Sequence, residues 1–207
     1  MISKIKSIDK NTEQKILESA RNIFHKKGLS GSRMQEIADN AGINKAMLHY
    51  YYSSKDKLFD AVFQEAIKRI FPEISKLLNE EMPLFEKIIY FSDKYISLLQ
   101  QNVYLPSFLL NEMNQNPQRF KKSFLKNKKI KPDIFIAQIK KGIKDKIIIP
   151  LDPMQLFINM MSMCIFPFIA KNMIMITYRF SQKQFDQFIE SRKKEIPEFI
   201  INSIKKK

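Results

Sequence analysis

The stretch AGINKAMLHYYYSSKDKL, residues 41–58, concentrates hydrogen-bonding and cationic side chains in a segment too short to bury them all. Successive residues of a helix point about 100° apart, so Tyr50, Tyr51 and Tyr52 cannot share one face. With Leu48 as the inward anchor, the outward positions are Asn44, Lys45, Met47, His49, Tyr50 and Tyr51, with Lys55 just beyond. That surface suits DNA. Lys45, at the N-terminal end, reaches guanine acceptors, and Met47 meets a thymine methyl. Tyrosine hydroxyls and Lys55 hold phosphate oxygens, which set register without reading sequence. Backbone amides at the start of the preceding helix, near Ser32 and Arg33, suit a further phosphate. Tyr52 is expected to pack inward while Tyr50 and Tyr51 face the DNA backbone.

These residues need two short helices joined by a tight turn. The turn contains Gly42, and Ala38 sits where the first helix must lie close to the second, which describes a helix-turn-helix. Ahead of it, Ile16, Leu17, Ala20, Ile23 and Phe24 form one apolar stripe, predicting a helix over about 12–27 that stops at Gly28. Ser32 is a suitable N-cap for the second helix, and Met34, Ile37, Ala38 and Ala41 give it an apolar face. The third helix is expected from Lys45 to about Tyr51. Ser54 caps a fourth, carrying Leu58, Phe59, Val62, Ile67 and Phe71, which Pro72 should interrupt before helix resumes. Beyond residue 80, prolines separate amphipathic runs at about 84–101, 103–115, 133–146, 154–177 and 182–204. The polar, basic stretch 116–132 reads as a long surface loop or frayed helix. The expected fold is all-α with about nine helices and no internal repeat.

At 207 residues with 44% hydrophobic content, the chain can bury a sizeable core, which argues against disorder. No apolar run follows the basic, polar residues 1–10, so a secretory signal is not expected and a cytoplasmic, nucleoid-associated setting is. Cys164 is the only cysteine and His25 and His49 the only histidines, which argues against a disulfide framework and a metal site. A net charge of +15 points to a polyanionic partner, but the lysines are spread along the whole chain and locate no face. No paired carboxylates, nucleophile with base, or Gly-rich phosphate loop can be assembled. An enzyme is therefore not expected, and neither is a cofactor.

The segment GLSGSRMQEIADNAGINKAMLHYYYSSKDKLFDAVF, residues 28–63, resembles the DNA-binding region of TetR-family transcriptional regulators. Ser32, Glu36, Ile37, Ala38, Ala41, Gly42, Ile43, Leu48, Tyr50, Tyr51, Ser54, Lys55, Asp56 and Leu58 occupy the family pattern. His49 stands where members usually carry tyrosine, and Tyr52 where they usually carry phenylalanine. By this resemblance Lys45 and Ala46 occupy base-contact positions, and Tyr51 and Lys55 phosphate-contact positions. The resemblance also implies a homodimer with a helix-turn-helix domain at 8–56 and a ligand-sensing and dimerisation domain at 57–207. Such a protein would be a ligand-responsive repressor, released from a pseudo-palindromic double-stranded operator by a small-molecule effector. The alternative is a DNA-binding architectural factor controlled by a partner protein.

The last two helical runs have apolar faces able to pair with their symmetry mates in a four-helix bundle. The Met-rich run is interrupted by Asn159, Pro167, Lys171 and Asn172, so core and dimer interface are expected rather than a membrane span. Cys164 reads as a buried small hydrophobe. Tyr95, Tyr104, Phe108, Asn111, Glu112 and Met160 are candidate effector contacts, being polar or aromatic residues on otherwise apolar helices. A buried Glu112 would favour a cationic effector.

Overall fold

The computed structural model describes residues 2–126 and 132–206, with side chains described over 11–125 and 132–206. Among the described residues there are eleven helices: α1 (Ile2–Lys27), α2 (Met34–Ala41), α3 (Lys45–Tyr51), α4 (Lys55–Asn79), α5 (Leu84–Gln100), α6 (Leu105–Gln115), α7 (Pro117–Lys126), α8 (Asp133–Lys144), α9 (Pro153–Ile169), α10 (Lys171–Thr177) and α11 (Gln182–Ile204). The only β-type pairing among them is an isolated bridge between Ile148 and Lys205. The fold is all-α.

Two of the eleven helices separate the structure from the nine expected. Residues 117–126, expected as a loop or frayed helix, form α7, with Phe120 and Phe124 stacked one turn apart at 5.6 Å. The rest of that stretch, residues 127–131, lies outside the described residues. The run 154–177 is not one helix but two, α9 and α10, bent by 70°. No single described helix is long and apolar enough to cross a membrane.

Neither proline breaks its helix: the bend falls beyond Pro167, between Ile169 and Lys171, and the break expected at Pro72 is absent. Helix α4 runs unbroken through Pro72, held on its far side by the buried Ile74, Leu77 and Leu78. Pro167 lies inside α9, where its missing N–H leaves the Met163 carbonyl without its helical donor. The Arg192 guanidinium of α11 donates to that carbonyl at 2.8 Å.

The described chain forms two compact units. The first comprises residues 1–69 with 107–126, and the second residues 70–106 with 127–207. These units do not follow a single cut at 56/57, because the far segment 107–126 belongs with the N-terminal helices. In the first unit, α2 packs on α1 and α3. Its core is aromatic: Phe24 meets Phe59 edge-on at 5.0 Å, and Phe108 of α6 packs against Phe59 at 5.4 Å and Phe63 at 6.0 Å. In the second unit α5 is the central element, packed on α8, α9 and α11. Phe91, Tyr95 and Ile96 of α5 are buried there with Met160, Cys164, Ile189 and Ile200. Burial pushes the Cys164 thiol up to about 12, so it stays protonated, as suits a packed hydrophobe.

Candidate nucleic-acid interface

Helix α1 ends where Gly28 turns left-handed at φ +68°, its N–H donating to the Phe24 carbonyl. Ser19 of α1 donates to the Ile37 carbonyl at 2.8 Å, and Lys27 pairs with Glu36 at 2.5 Å, so α2 is tied down at both its buried and exposed sides.

The expected cap of α2 is not observed. Arg33 occupies the N-cap position, extended at φ −127° and ψ 140°, and makes no side-chain cap. The Ser32 hydroxyl is buried and donates to the Leu29 carbonyl at 2.8 Å, which folds the loop before the helix. No N-cap side chain therefore takes the first-turn amides of α2, and they are left for an anion. Lys55 Nζ donates to the Ser32 carbonyl at 3.0 Å, which brings an ammonium group to the same helix end. The uncapped N-terminus of α2 thus has the exposed Arg33 at its N-cap position and the Lys55 ammonium beside it, groups suited to an anion.

The turn into α3 is made by Gly42 at φ 68° and ψ 33°, with Ile43 N–H closing on the Ala38 carbonyl at 3.0 Å. Only a residue without a Cβ adopts this conformation cheaply. Asn44, placed among the outward DNA contacts, is exposed, but its Oδ1 accepts from Met47 N–H at 2.7 Å as the N-cap of α3. Its amide nitrogen is the part left for DNA.

Leu48 is fully buried, so it anchors α3 and fixes which face turns outward. That face exposes Lys45, Ala46, Met47, His49 and Tyr50, the last 81% exposed. Tyr51 is half-buried and meets Tyr50 edge-on at 5.5 Å. Tyr52, the tyrosine expected to turn inward, is half-buried and donates to Glu13 Oε1 at 3.2 Å. Burial, and then the Glu13 carboxylate, push its phenol up to about 12, so it remains a donor tying the end of α3 to α1.

The six candidate effector contacts do not form one group. Phe108, Asn111 and Glu112 belong to the first unit, Tyr95, Tyr104 and Met160 to the second. Phe108 is buried in the aromatic core against His25 at 4.7 Å. Asn111 is exposed and lies near Gly28. Glu112 is buried, but Arg119 takes its carboxylate at 2.8 Å and Asn116 donates at 3.2 Å, so it offers no free charge to a cation. Tyr95 and Met160 are buried and Tyr104 is exposed.

Sequence reasoning missed Arg119 entirely. Its guanidinium pairs with Asp60 at 2.8 Å and Asp56 at 3.4 Å, and lies over the Phe59 ring at 5.2 Å. Together with the Glu112 pair, this joins α6 and α7 to the first turns of α4, next to Lys55. The partners are far apart in sequence, and no local pattern marks them.

An exposed, cationic second helix locked to a first by a left-handed glycine turn defines a helix-turn-helix DNA-binding regulator. Residues 16–62 match the family described as bacterial regulatory proteins, tetR family. The HTH-type transcriptional regulator YhgD of Bacillus subtilis is 26% identical over 157 residues, 71% of this chain and 76% of that protein. The HTH-type transcriptional repressor NicS of Pseudomonas putida is 32% identical over 89 residues, 41% of this chain and 42% of NicS. Among solved structures, the transcriptional regulator FadR of Bacillus subtilis in complex with stearoyl-CoA superposes with a TM-score of 0.62 at 16% identity, over 92% of this chain and 98% of that one. Residues 16–62 therefore match the tetR family over the DNA-binding region, and the rest of the chain shares the fold of such regulators.

Proposed function

We propose that the chain is a dimeric, ligand-responsive repressor that releases a pseudo-palindromic operator when a small effector binds. The observation that carries the DNA-reading part is the convergence of the uncapped α2 N-terminus, Lys55 and the exposed face of α3. On this reading Lys45, Ala46, Met47, His49 and the Asn44 amide face base edges. Arg33, Tyr50, Tyr51, Lys55 and the amides after Ser32 hold the backbone. Phosphate contacts give affinity and register, and base contacts give discrimination.

Repression is supported by the similarity to the repressor NicS, and effector response by the ligand bound in FadR. Dimerisation is supported by large apolar residues left exposed on the last helices: Met154 and Ile158 of α9 and Phe199 of α11. The remaining outward face of α11 is polar, carrying Lys194, Glu195, Glu198 and Asn202, so α9 supplies most of the apolar surface. An effector releases DNA only if it binds the DNA-free shape more tightly than the DNA-bound one. Such a protein works in the cytoplasm, on the nucleoid.

The test is fluorescence-anisotropy binding to the DNA upstream of its own gene, against scrambled DNA of equal length, at several salt concentrations. A preference of about a thousandfold or more at physiological salt supports the reading. Equal, steeply salt-dependent binding to both, with no operator recovered by selection from random DNA, refutes it.

A further inference from the structure

The second unit holds a cavity of about 440 Å³ formed by Phe166 and Pro167 of α9, Met173 and Ile174 of α10, Tyr178 and Phe180 of the following turn, and Phe188 and Arg192 of α11. It exists because of the 70° bend between α9 and α10. The turn back into α11 then carries Arg179 at φ 53°, a left-handed conformation uncommon for a side chain of that size, and brings Tyr178 and Phe180 round as a wall. The walls are apolar and largely open to solvent: Phe166 is 53%, Met173 56% and Tyr178 67% exposed. The volume lies within the range of small-molecule sites.

One charged group, Arg192, lines this cavity without a direct ion pair. The Arg192 guanidinium lies over the Phe188 ring at 5.5 Å and gives one N–H to the Met163 carbonyl freed by Pro167. Its Nε is buried with no hydrogen-bond partner, and the Glu195 carboxylate, three residues on, acts on it electrostatically without forming an ion pair. The carbonyl uses one donor of a five-donor cation and does nothing for its charge. A half-buried guanidinium, planar and forked, is completed by a carboxylate.

We propose that this cavity binds a small amphipathic monocarboxylate, its aliphatic or aromatic body against Phe166, Met173, Tyr178 and Phe180 and its carboxylate on Arg192. The inference rests on the effector-responsive reading for its regulatory meaning. It reverses the charge expected of the effector, because the buried acid Glu112 is already neutralised by Arg119 while Arg192 has no direct ion pair.

The test is isothermal titration of the full-length protein with sodium decanoate and, as the neutral isostere, 1-decanol. Decanoate should bind at least tenfold tighter than decanol to the native protein. Arg192→Met should remove that preference, and Arg192→Lys should keep part of it. Met173→Trp, a change at an exposed wall that leaves Arg192 and the Met163 carbonyl in place, should block both probes. Equal affinity for decanoate and decanol, or unchanged decanoate binding in Met173→Trp, overturns the proposal. So does a change of sedimentation coefficient in Met173→Trp with no decanoate binding to the native protein, which would make the cavity a contact between copies of the chain. Operator binding is read separately: its loss with decanoate binding intact would sink the regulator reading and leave this site standing.

Discussion

Lys55 Nζ lies 3.0 Å from the Ser32 carbonyl, so the first residue of α4 is fastened to the loop that opens α2. The ammonium is held at the amide end of α2 before any DNA arrives, which lowers the ordering cost of a phosphate contact.

Lys55→Ala should therefore weaken binding to every DNA sequence alike. The slope of log affinity against log salt should fall by about one unit per subunit, since one phosphate contact releases about one counterion. Anisotropy titrations over a salt series measure this. A loss confined to the operator would contradict the phosphate assignment.

Lys45→Ala should act on discrimination instead. Lys45 is exposed at the start of α3, beyond the Asn44 cap. Its removal should relax preference at one base pair per half-site, at a cost on the order of 1–3 kcal/mol for the operator and little for random DNA. Competition with single-base operator variants gives the position. A uniform loss across variants would place Lys45 on the backbone.

Arg119→Ala should destabilise the first unit by about 3 kcal/mol, because it strands the buried Glu112 carboxylate. The double variant Arg119→Ala with Glu112→Gln should recover much of that loss, since no buried charge remains. Urea unfolding of the three variants forms the required cycle. Equal losses in the single and double variants would mean that Arg119 acts through its contacts with Asp56, Asp60 and Phe59 instead.

Acid should loosen the protein through His25. Burial above all, and then the Arg21 charge, push its imidazole down to about 4, and its Nε2 is buried without a partner. Above the unfolded value near 6.5 the ring is neutral in both states and nothing is lost. As pH falls from there toward 4, the unfolded chain takes up a proton that the folded chain refuses, so stability drops, by a total on the order of 3 kcal/mol. His25→Leu should remove that component between pH 6.5 and 4, visible as a smaller pH dependence of the urea midpoint. Parallel profiles for the two proteins would refute it.

The parts of the fold readable from sequence are those set by neighbours along the chain. Gly42, Leu48 and the α3 bounds follow from periodicity and one turn, each within a few residues. Ser32 shows where local rules stop: the hydroxyl expected on α2 is taken by Leu29, a choice made by the loop. The two prolines make the same point. Pro72 leaves α4 unbroken, whereas Pro167 precedes a bend and frees a carbonyl that Arg192 reaches from α11, 29 residues away in sequence. Arg119 and Asp56 are 63 residues apart, so nothing in either stretch names the other.

The placement of residues 107–126 with the N-terminal helices also bears on how the protein is made. The first unit is discontinuous along the chain. A ribosome that has released residues 1–69 has exposed α1, α2 and α3, yet Phe59 and Phe63 still lack Phe108, and Asp56 and Asp60 still lack Arg119. The intervening helix α5 must emerge before these partners do. The DNA-reading unit is thus completed only after a loop of nearly forty residues has been synthesised and closed, a step whose entropy grows slowly with loop length.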